Sequence, residues 1–200
     1  MPSLDVNALA QPALDQLFLS ARSHNGWLPD PVSDDTLMRL ADLAKMGPTA
    51  MNSSPARFVF LRTMDAKKRL EPHLAEGNRA KTMQAPVVAI IGADRRFYDH
   101  MPKLFPHRDV KATFESNEKL TEATAVRNAT LQGAYLMLAA RALGLDCGPM
   151  SGFDAAGVDG EFFKGTATRV DFICALGKGD PAKIFPRLPR FEFKEFCTLL

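Results

Sequence analysis

From Glu118 to Leu143 the sequence keeps a helical rhythm longer than in any other stretch, with Ala123, Val126, Ala129, Gly133, Ala134, Met137, Leu138 and Arg141 spaced by three or four. At about 1.5 Å per residue such a helix extends roughly 39 Å, enough to traverse a small domain. The remaining elements must therefore be arranged along it. Ala129, Gly133 and Ala134 let another helix approach closely, and Gly144 is placed to cap the C-terminal end. The apolar run Val87–Ile91 within Pro86–Ala93 reads as a buried strand and is far too short to cross a bilayer.

Shorter signals surround these two. Leu14, Leu17, Phe18 and Ala21 have helical spacing and predict a helix from about Leu9 to Arg22. A second helix begins after Ser33, whose hydroxyl caps it while Asp34 and Asp35 favour its positive end; Leu37, Leu40, Leu43 and Ala44 form its apolar stripe. Arg57–Arg62 reads as a strand, Asp65 to about Ala75 as a helix interrupted near Pro72, and Arg169–Leu176 as a further strand. Asp94 reads as a helix cap. The stretch 97–115 mixes aromatics, prolines and charge without a clear period. Together these elements predict an α+β sandwich, with helices packed around a mainly antiparallel sheet. No Gly/Ser linker or repeat divides the chain, so residues 1–200 read as one domain.

The formal charge of +2, from 25 basic and 23 acidic residues, is too even to favour nucleic acid or an anionic membrane. Asp5, with no early basic cluster ahead of a long apolar stretch, argues against a secretory signal. Cys147, Cys174 and Cys197 are odd in number and widely spaced, which fits a reducing cytoplasm better than a disulfide framework or zinc; Cys174 sits in the apolar run Phe172–Leu176 and reads as core. His73 and His100 lack metal-ligand spacing, and no metal is expected.

Three polar segments carry the chemistry. Pro48 to Pro55 is small and turn-rich, with Thr49, Asn52, Ser53 and Ser54 offering groups that suit the heteroatoms of a planar ring. Arg22-Ser23-His24-Asn25-Gly26-Trp27 joins a guanidinium to a hydroxyl and an imidazole, a set that suits phosphate and equally a basic helix end. Gly148-Pro149-Met150-Ser151-Gly152-Phe153 has two glycines that let backbone N–H groups approach a ligand, or form a plain turn. Trp27 reads as a packing residue.

In this order, and with Gly77-Asn78, Lys81, Gly144-Leu145 and Arg187-Leu188-Pro189-Arg190, the segments resemble the nitroreductase family of flavoproteins from about Leu14 to the C-terminus, most closely its malonic semialdehyde reductase branch of pyrimidine breakdown. The resemblance implies an intertwined homodimer with the long helix in its interface, the C-terminal segment reaching onto the partner, and one FMN at each of two shared sites. Carried over, Arg22, Ser23, His24 and Asn25 would hold the phosphate and ribityl chain, with Lys81, Lys183 and Arg187 adding positive charge. Pro48, Thr49, Ala50 and Asn52 would reach the ring edge from the other subunit. Asn78 would bond the pyrimidine side, and Pro149, Met150, Ser151 and Gly152 would line one face.

No catalytic side chain is then required, because FMN passes hydride from NADH or NADPH to a small acceptor. The implied reaction is malonic semialdehyde to 3-hydroxypropanoate. The alternatives are a broad nitroaromatic or quinone reductase and, in another class, a non-catalytic flavin-binding or interaction protein. Ser151 stands where many members carry an acidic residue, and Gly26 where a basic one is common, which implies a more neutral pocket. His107, Arg108 and Lys111 are candidates to receive an acceptor carboxylate, or form a solvated basic surface.

Overall fold

The apolar run near residue 90 becomes the centre of a sheet because its side chains find cover on both faces. A computed structural model describes residues 8–200, and the Asp5 feature lies outside them. Four strands, β1 (Ala56–Leu61), β2 (Val87–Asp94), β3 (Asp146–Met150) and β4 (Thr168–Gly177), pair antiparallel in the order β1-β2-β4-β3. Every residue of β2 is buried. Register aligns Val59, Ile90, Ile173 and Met150 in one row across the sheet. That row faces the helices Met64–Leu70 and Ala155–Phe162, with Leu70 and Val158 in the same cluster. Val87, Ala89 and Ile91 point the other way, onto Leu37, Leu40 and Ala44 of helix Asp34–Ala44 and Leu136, Ala139 and Ala140 of the long helix Glu118–Ala142. Each fully buried isoleucine of β2 contributes about 1.5–3 kcal/mol relative to exposure.

Local chemistry fixes the helix ends. Ser33 Oγ accepts from Thr36 N at 3.2 Å. The long helix stops as expected at Gly144, whose φ of 78° suits a residue without Cβ; Leu145 N donates to Ala140 O and Gly144 N to Arg141 O. The helix expected around Pro72 ends at Leu70 and continues as a single 3₁₀ turn, Glu71–His73.

Four expectations need correction. Residues 9–22 do not form one helix: an α-turn, Gln11–Leu14, passes into a π-turn, Asp15–Leu19, closed by Ser20 N donating to Asp15 O, and Phe18 and Leu19 are exposed. Leu43 is exposed, so the stripe on helix Asp34–Ala44 is Leu37, Leu40 and Ala44. Asp94 ends β2 instead of opening a helix; its carboxylate accepts from Arg57 Nη2 at 2.6 Å and Arg96 N at 2.8 Å. The buried face of the long helix also differs from the apolar spacing, since Ala123 and Val126 are exposed while Thr121, Thr124, Asn128 and Gln132 are buried beside Ala125, Ala129 and Gly133.

Candidate functional site

The phosphate-suited segment is held against the sheet by main-chain bonds. Ser23 bridges Cys147 on the free edge of β3, and His24 N donates to Cys147 O at 2.9 Å. Gly148 makes this approach possible, because a Cβ there would lie 2.7 Å from His24 O and 3.1 Å from Trp27 Cζ2. Trp27 is buried in the core, with Nε1 donating to Lys81 O at 2.9 Å. The His24 imidazole is also turned inward, with Nε2 3.2 Å from Asp146 Oδ1, while Asp146 Oδ2 accepts from Gly179 N. His24 thus anchors the segment from beneath, whereas Arg22, Ser23 and Asn25 face a cavity.

That cavity, of about 560 Å³, is lined by Arg22, Ser23, Asn25, Phe185, Pro186, Arg187, Leu188 and Arg190. It contains three guanidinium groups and no carboxylate. Arg22 Nη2 donates to Phe185 O, and Arg187 Nη2 donates to Leu19 O at 2.6 Å and Ala21 O at 3.0 Å, which braces the C-terminal segment against residues 19–22. None of the three arginines forms an ion pair among the described residues. Uncompensated charge of this kind, with a hydroxyl and an amide beside it, suits a dianionic phosphate.

A polar strip leads away from the cavity. Lys81 Nζ donates to Asn25 Oδ1 at 3.3 Å, and Asn78, on the same helix Glu76–Gln84, donates from Nδ2 to Gly152 O at 2.9 Å. The strip ends at Pro149, Ser151 and Gly152, which are exposed, while Met150 is buried with its sulfur accepting from Thr82 Oγ1. Lys183 lies over Gly26, where a Cβ would meet its side chain at 2.2 Å, and its ammonium is 3.9 Å from Asp180.

The segment Pro48–Pro55 occupies a different place. Met51, Asn52 and Ser54 have φ values of 51°, 53° and 40°, a left-handed conformation that costs a non-glycine residue about 1 kcal/mol or more. The surroundings impose it. Ala50 N donates to Asn128 Oδ1 at 2.8 Å, Ala56 N to Gln132 Oε1 at 3.0 Å, Ser54 N to Thr49 Oγ1 at 3.1 Å, and Asn52 Nδ2 to Leu104 O at 2.8 Å. Asn128 and Gln132 went unrecognised in the sequence. Their signal was the four-residue spacing of Thr124, Asn128 and Gln132, which puts polar groups on one helix face. This segment is docked at Asn128, whereas residues 16–17 are docked at the far end of the long helix, where Gln16 Nε2 donates to Arg141 O and Arg141 Nη1 to Leu17 O. Thirteen residues separate Asn128 from Arg141, about 20 Å along the axis.

The 97–115 stretch folds as three single turns, Phe97–His100, Met101–Leu104 and Lys111–Glu115. Lys111 Nζ is 2.8 Å from Asp99 Oδ1, so its charge is engaged; Arg108 and His107 are exposed, with His107 edge-on to Phe105 at 5.5 Å. Asp99 is held below the usual carboxylate range by the Lys111 hydrogen bond first and then by Arg96. Among the described residues no group of three or more His, Cys, Asp or Glu side chains is arranged to hold a metal, and no helix is long and apolar enough to cross a membrane.

Comparison with known proteins identifies the family. Residues 19–178 match the family model described as the nitroreductase family. A Burkholderia lata protein named as an NADH dehydrogenase/NAD(P)H nitroreductase is 59% identical over 194 residues, covering 97% of this chain and 100% of its own. HadB of Ralstonia pickettii, named in the same way, is 57% identical, covering 94% of this chain and 97% of its own. Among solved structures, a Bacillus subtilis nitroreductase, ydfN, superposes with a TM-score of 0.84 at 22% identity, covering 96% of this chain and 100% of its own. An Exiguobacterium sibiricum nitroreductase in complex with FMN does so at 0.81 and 17%, covering 96% and 99%. The fold and the matched sequence agree: this chain belongs to the nitroreductase family.

Proposed function

We propose that this protein is an FMN-dependent oxidoreductase that takes hydride from NADH or NADPH and reduces a small acceptor, with malonic semialdehyde to 3-hydroxypropanoate as its reaction. The observation that carries the cofactor is the cavity with three guanidinium groups and no carboxylate, which suits the phosphate of FMN within a family of flavoproteins. Bound there, FMN supplies the hydride chemistry, and the chain supplies binding and orientation. Arg22, Ser23, Asn25 and Arg187 hold the phosphate, and His24 fixes their backbone through Asp146. Lys183 and Lys81 add charge, Asn78 meets the pyrimidine side, and Pro149, Met150, Ser151 and Gly152 line one face.

Pro48, Thr49, Ala50 and Asn52 serve the ring edge of a second copy's site in a homodimer. Two features support that assembly. The two groups of residues are docked about 20 Å apart along one helix. Phe185, Leu188, Phe191, Phe193 and Phe196 of the C-terminal arm are each more than half exposed, and a partner surface would cover them. Arg108, unlike Lys111, is without an ion pair among the described residues and is the better receiver for an acceptor carboxylate. The free cysteines Cys147, Cys174 and Cys197 fit a cytoplasmic enzyme, and the place in pyrimidine degradation rests on the resemblance to the malonic semialdehyde reductase branch alone. The three core clusters adjoin one sheet, which supports reading the chain as one domain.

The test is the visible spectrum of the purified protein, recorded anaerobically before and after NADH, followed by turnover with malonic semialdehyde and with a nitroaromatic. A flavin spectrum that bleaches, with turnover of the aldehyde, is expected. Turnover of the nitro compound alone would replace the substrate assignment with a broad reductase. A protein that stays colourless with added FMN would overturn the cofactor.

A further inference from the structure

We infer that the cavity floored by Lys67 is a second binding site, one that takes a small carboxylate with an apolar body; it stands apart from the flavin reading. This cavity, of about 650 Å³, shares no lining residue with the arginine cavity. Its floor is buried, at Lys67, Ala85 and Val87, and its mouth is exposed, at Pro29, Pro31 and Met64. No Asp or Glu lines it.

Lys67 lies on helix Met64–Leu70 and is 6% exposed, a rare place for an ammonium. Its Nζ donates to Met83 O at 2.8 Å and to Ala85 O at 2.7 Å, which caps the C-terminal end of helix Glu76–Gln84. An ammonium has three N–H donors, so the cap leaves one over. The cap also supplies carbonyl dipoles and no counter-charge, and no carboxylate pairs with Lys67 among the described residues. Burial of this kind pushes the ammonium below the usual lysine range. Arg62, the other cation of the lining, is already paired with Asp34. The floor thus keeps a positive charge without an anion.

The walls select the rest of the ligand. Pro29, Pro31 and Pro86 have no N–H to offer, and Val32, Met64 and Met83 add apolar surface. A carboxylate on a short hydrocarbon chain suits both ends, with its head on the third Lys67 donor and its chain along the methionines. A dianion would carry a second charge against apolar walls, where nothing offsets its loss of water.

The experiment is isothermal titration calorimetry of the FMN-saturated protein with hexanoate and with its neutral counterpart hexanamide, for wild type, Lys67→Met and Met64→Glu. Wild type is expected to bind hexanoate about tenfold more tightly than hexanamide, the gain from one charge-assisted bond. Lys67→Met keeps the stem and removes the charge, so it should bind the two alike. That variant also loses a helix cap, and Met64→Glu gives a second reading that leaves the cap in place. Met64 is exposed and opens its helix, where an acidic side chain is favoured, and a carboxylate three residues before Lys67 competes for it. Met64→Glu should weaken hexanoate about tenfold and change hexanamide less than about twofold.

Equal binding of the two compounds by wild type, or binding of neither, would overturn the site. So would a preference for hexanoate that persists in Met64→Glu or in folded Lys67→Met, or release of FMN by hexanoate, which would place the carboxylate in the arginine cavity. A protein that takes up no FMN overturns the flavin reading instead, and the same titration of the flavin-free protein still decides the Lys67 site.

Discussion

Replacing Asn128 by alanine removes the acceptor that holds Ala50 N at 2.8 Å, in a helix position that is itself buried. The Ala50 N–H would then lie partly buried without a partner, a loss of about 1–3 kcal/mol. Next to it, Met51, Asn52 and Ser54 are held at positive φ at about 1 kcal/mol or more each. With one anchor gone, the loop relaxes towards ordinary backbone angles, and this limits the loss of stability to about 2 kcal/mol. At about 2–4 °C per kcal/mol for a chain of this size, the melting temperature should fall by about 4–8 °C. On the proposed role of Pro48–Pro55 at the ring edge, FMN affinity should also fall, by about tenfold or more, because binding would have to restore the left-handed turn. The assay pairs thermal unfolding with flavin titration, using Thr130→Ala on the same helix as reference; that substitution removes an exposed bond to Asp171 of β4 and should cost under about 0.5 kcal/mol. An Asn128→Ala protein that melts with Thr130→Ala and binds FMN as wild type would refute the view that the helix imposes the turn.

Three other outcomes are expected. Arg22→Ala should lose FMN at low flavin concentration while far-ultraviolet circular dichroism stays unchanged, because it removes the proposed phosphate anchor and not a core residue. Gly148→Ala should cost about 2 kcal/mol and weaken FMN, since its Cβ meets the His24 carbonyl and must push residues 22–27 off β3; a melting temperature within a degree of wild type would count against that close approach. Asp99 has a folded pKa lowered below its ordinary 3.8, chiefly by Lys111, so its contribution is present above that value and lost as pH falls through the folded pKa. Asp99→Asn should therefore speed hydrogen exchange of residues 101–111 at neutral pH, while wild type reaches that state only in acid; exchange that matches wild type at neutral pH would show that the Asp99 pairing does not hold the segment.

The parts of the fold legible in the sequence were those where burial and local chemistry agree. Val87–Ile91 is apolar throughout because β2 is covered on both faces, and Ser33 and Gly144 mark helix ends through the bonds they make or allow. β3 was not legible, since Gly148 and Pro149 in succession look like a turn; Pro149 is tolerated because β3 is an edge strand, with β4 as its one neighbouring strand in the sheet. The buried polar face of the long helix was missed because apolar spacing alone was followed, whereas Thr124, Asn128 and Gln132 are buried for their hydrogen bonds. Arg190 was visible as a residue of the Arg187–Arg190 motif but not as part of a cavity, because that depends on the arm returning to residues 19–22. Phe18 had helical spacing, yet it and Leu19 are uncovered among the described residues, so periodicity overstated the regularity of that turn.

Which chain supplies which half of the site is decided by mixing two defective proteins. Arg22→Ala removes the proposed phosphate anchor, and Asn52→Ala removes a proposed ring-edge residue, one whose amide donates to Leu104 O. If one site takes Arg22 from one chain and Asn52 from the other, a mixed dimer has one site with both substitutions and one with neither. Random pairing then yields mixed dimers as about half the population, and about one quarter of all sites are intact. Co-expressed variants should recover close to that fraction of wild-type NADH oxidation, while each alone stays near background. If both residues serve the same chain's site, every site in every dimer carries one lesion and mixing restores nothing. Recovery would thus assign the Pro48–Pro55 turn to the neighbouring subunit's flavin, and its absence, with mixed dimers shown to form, would place the whole site within one chain and make the 20 Å separation along the long helix a distance the cofactor itself must span.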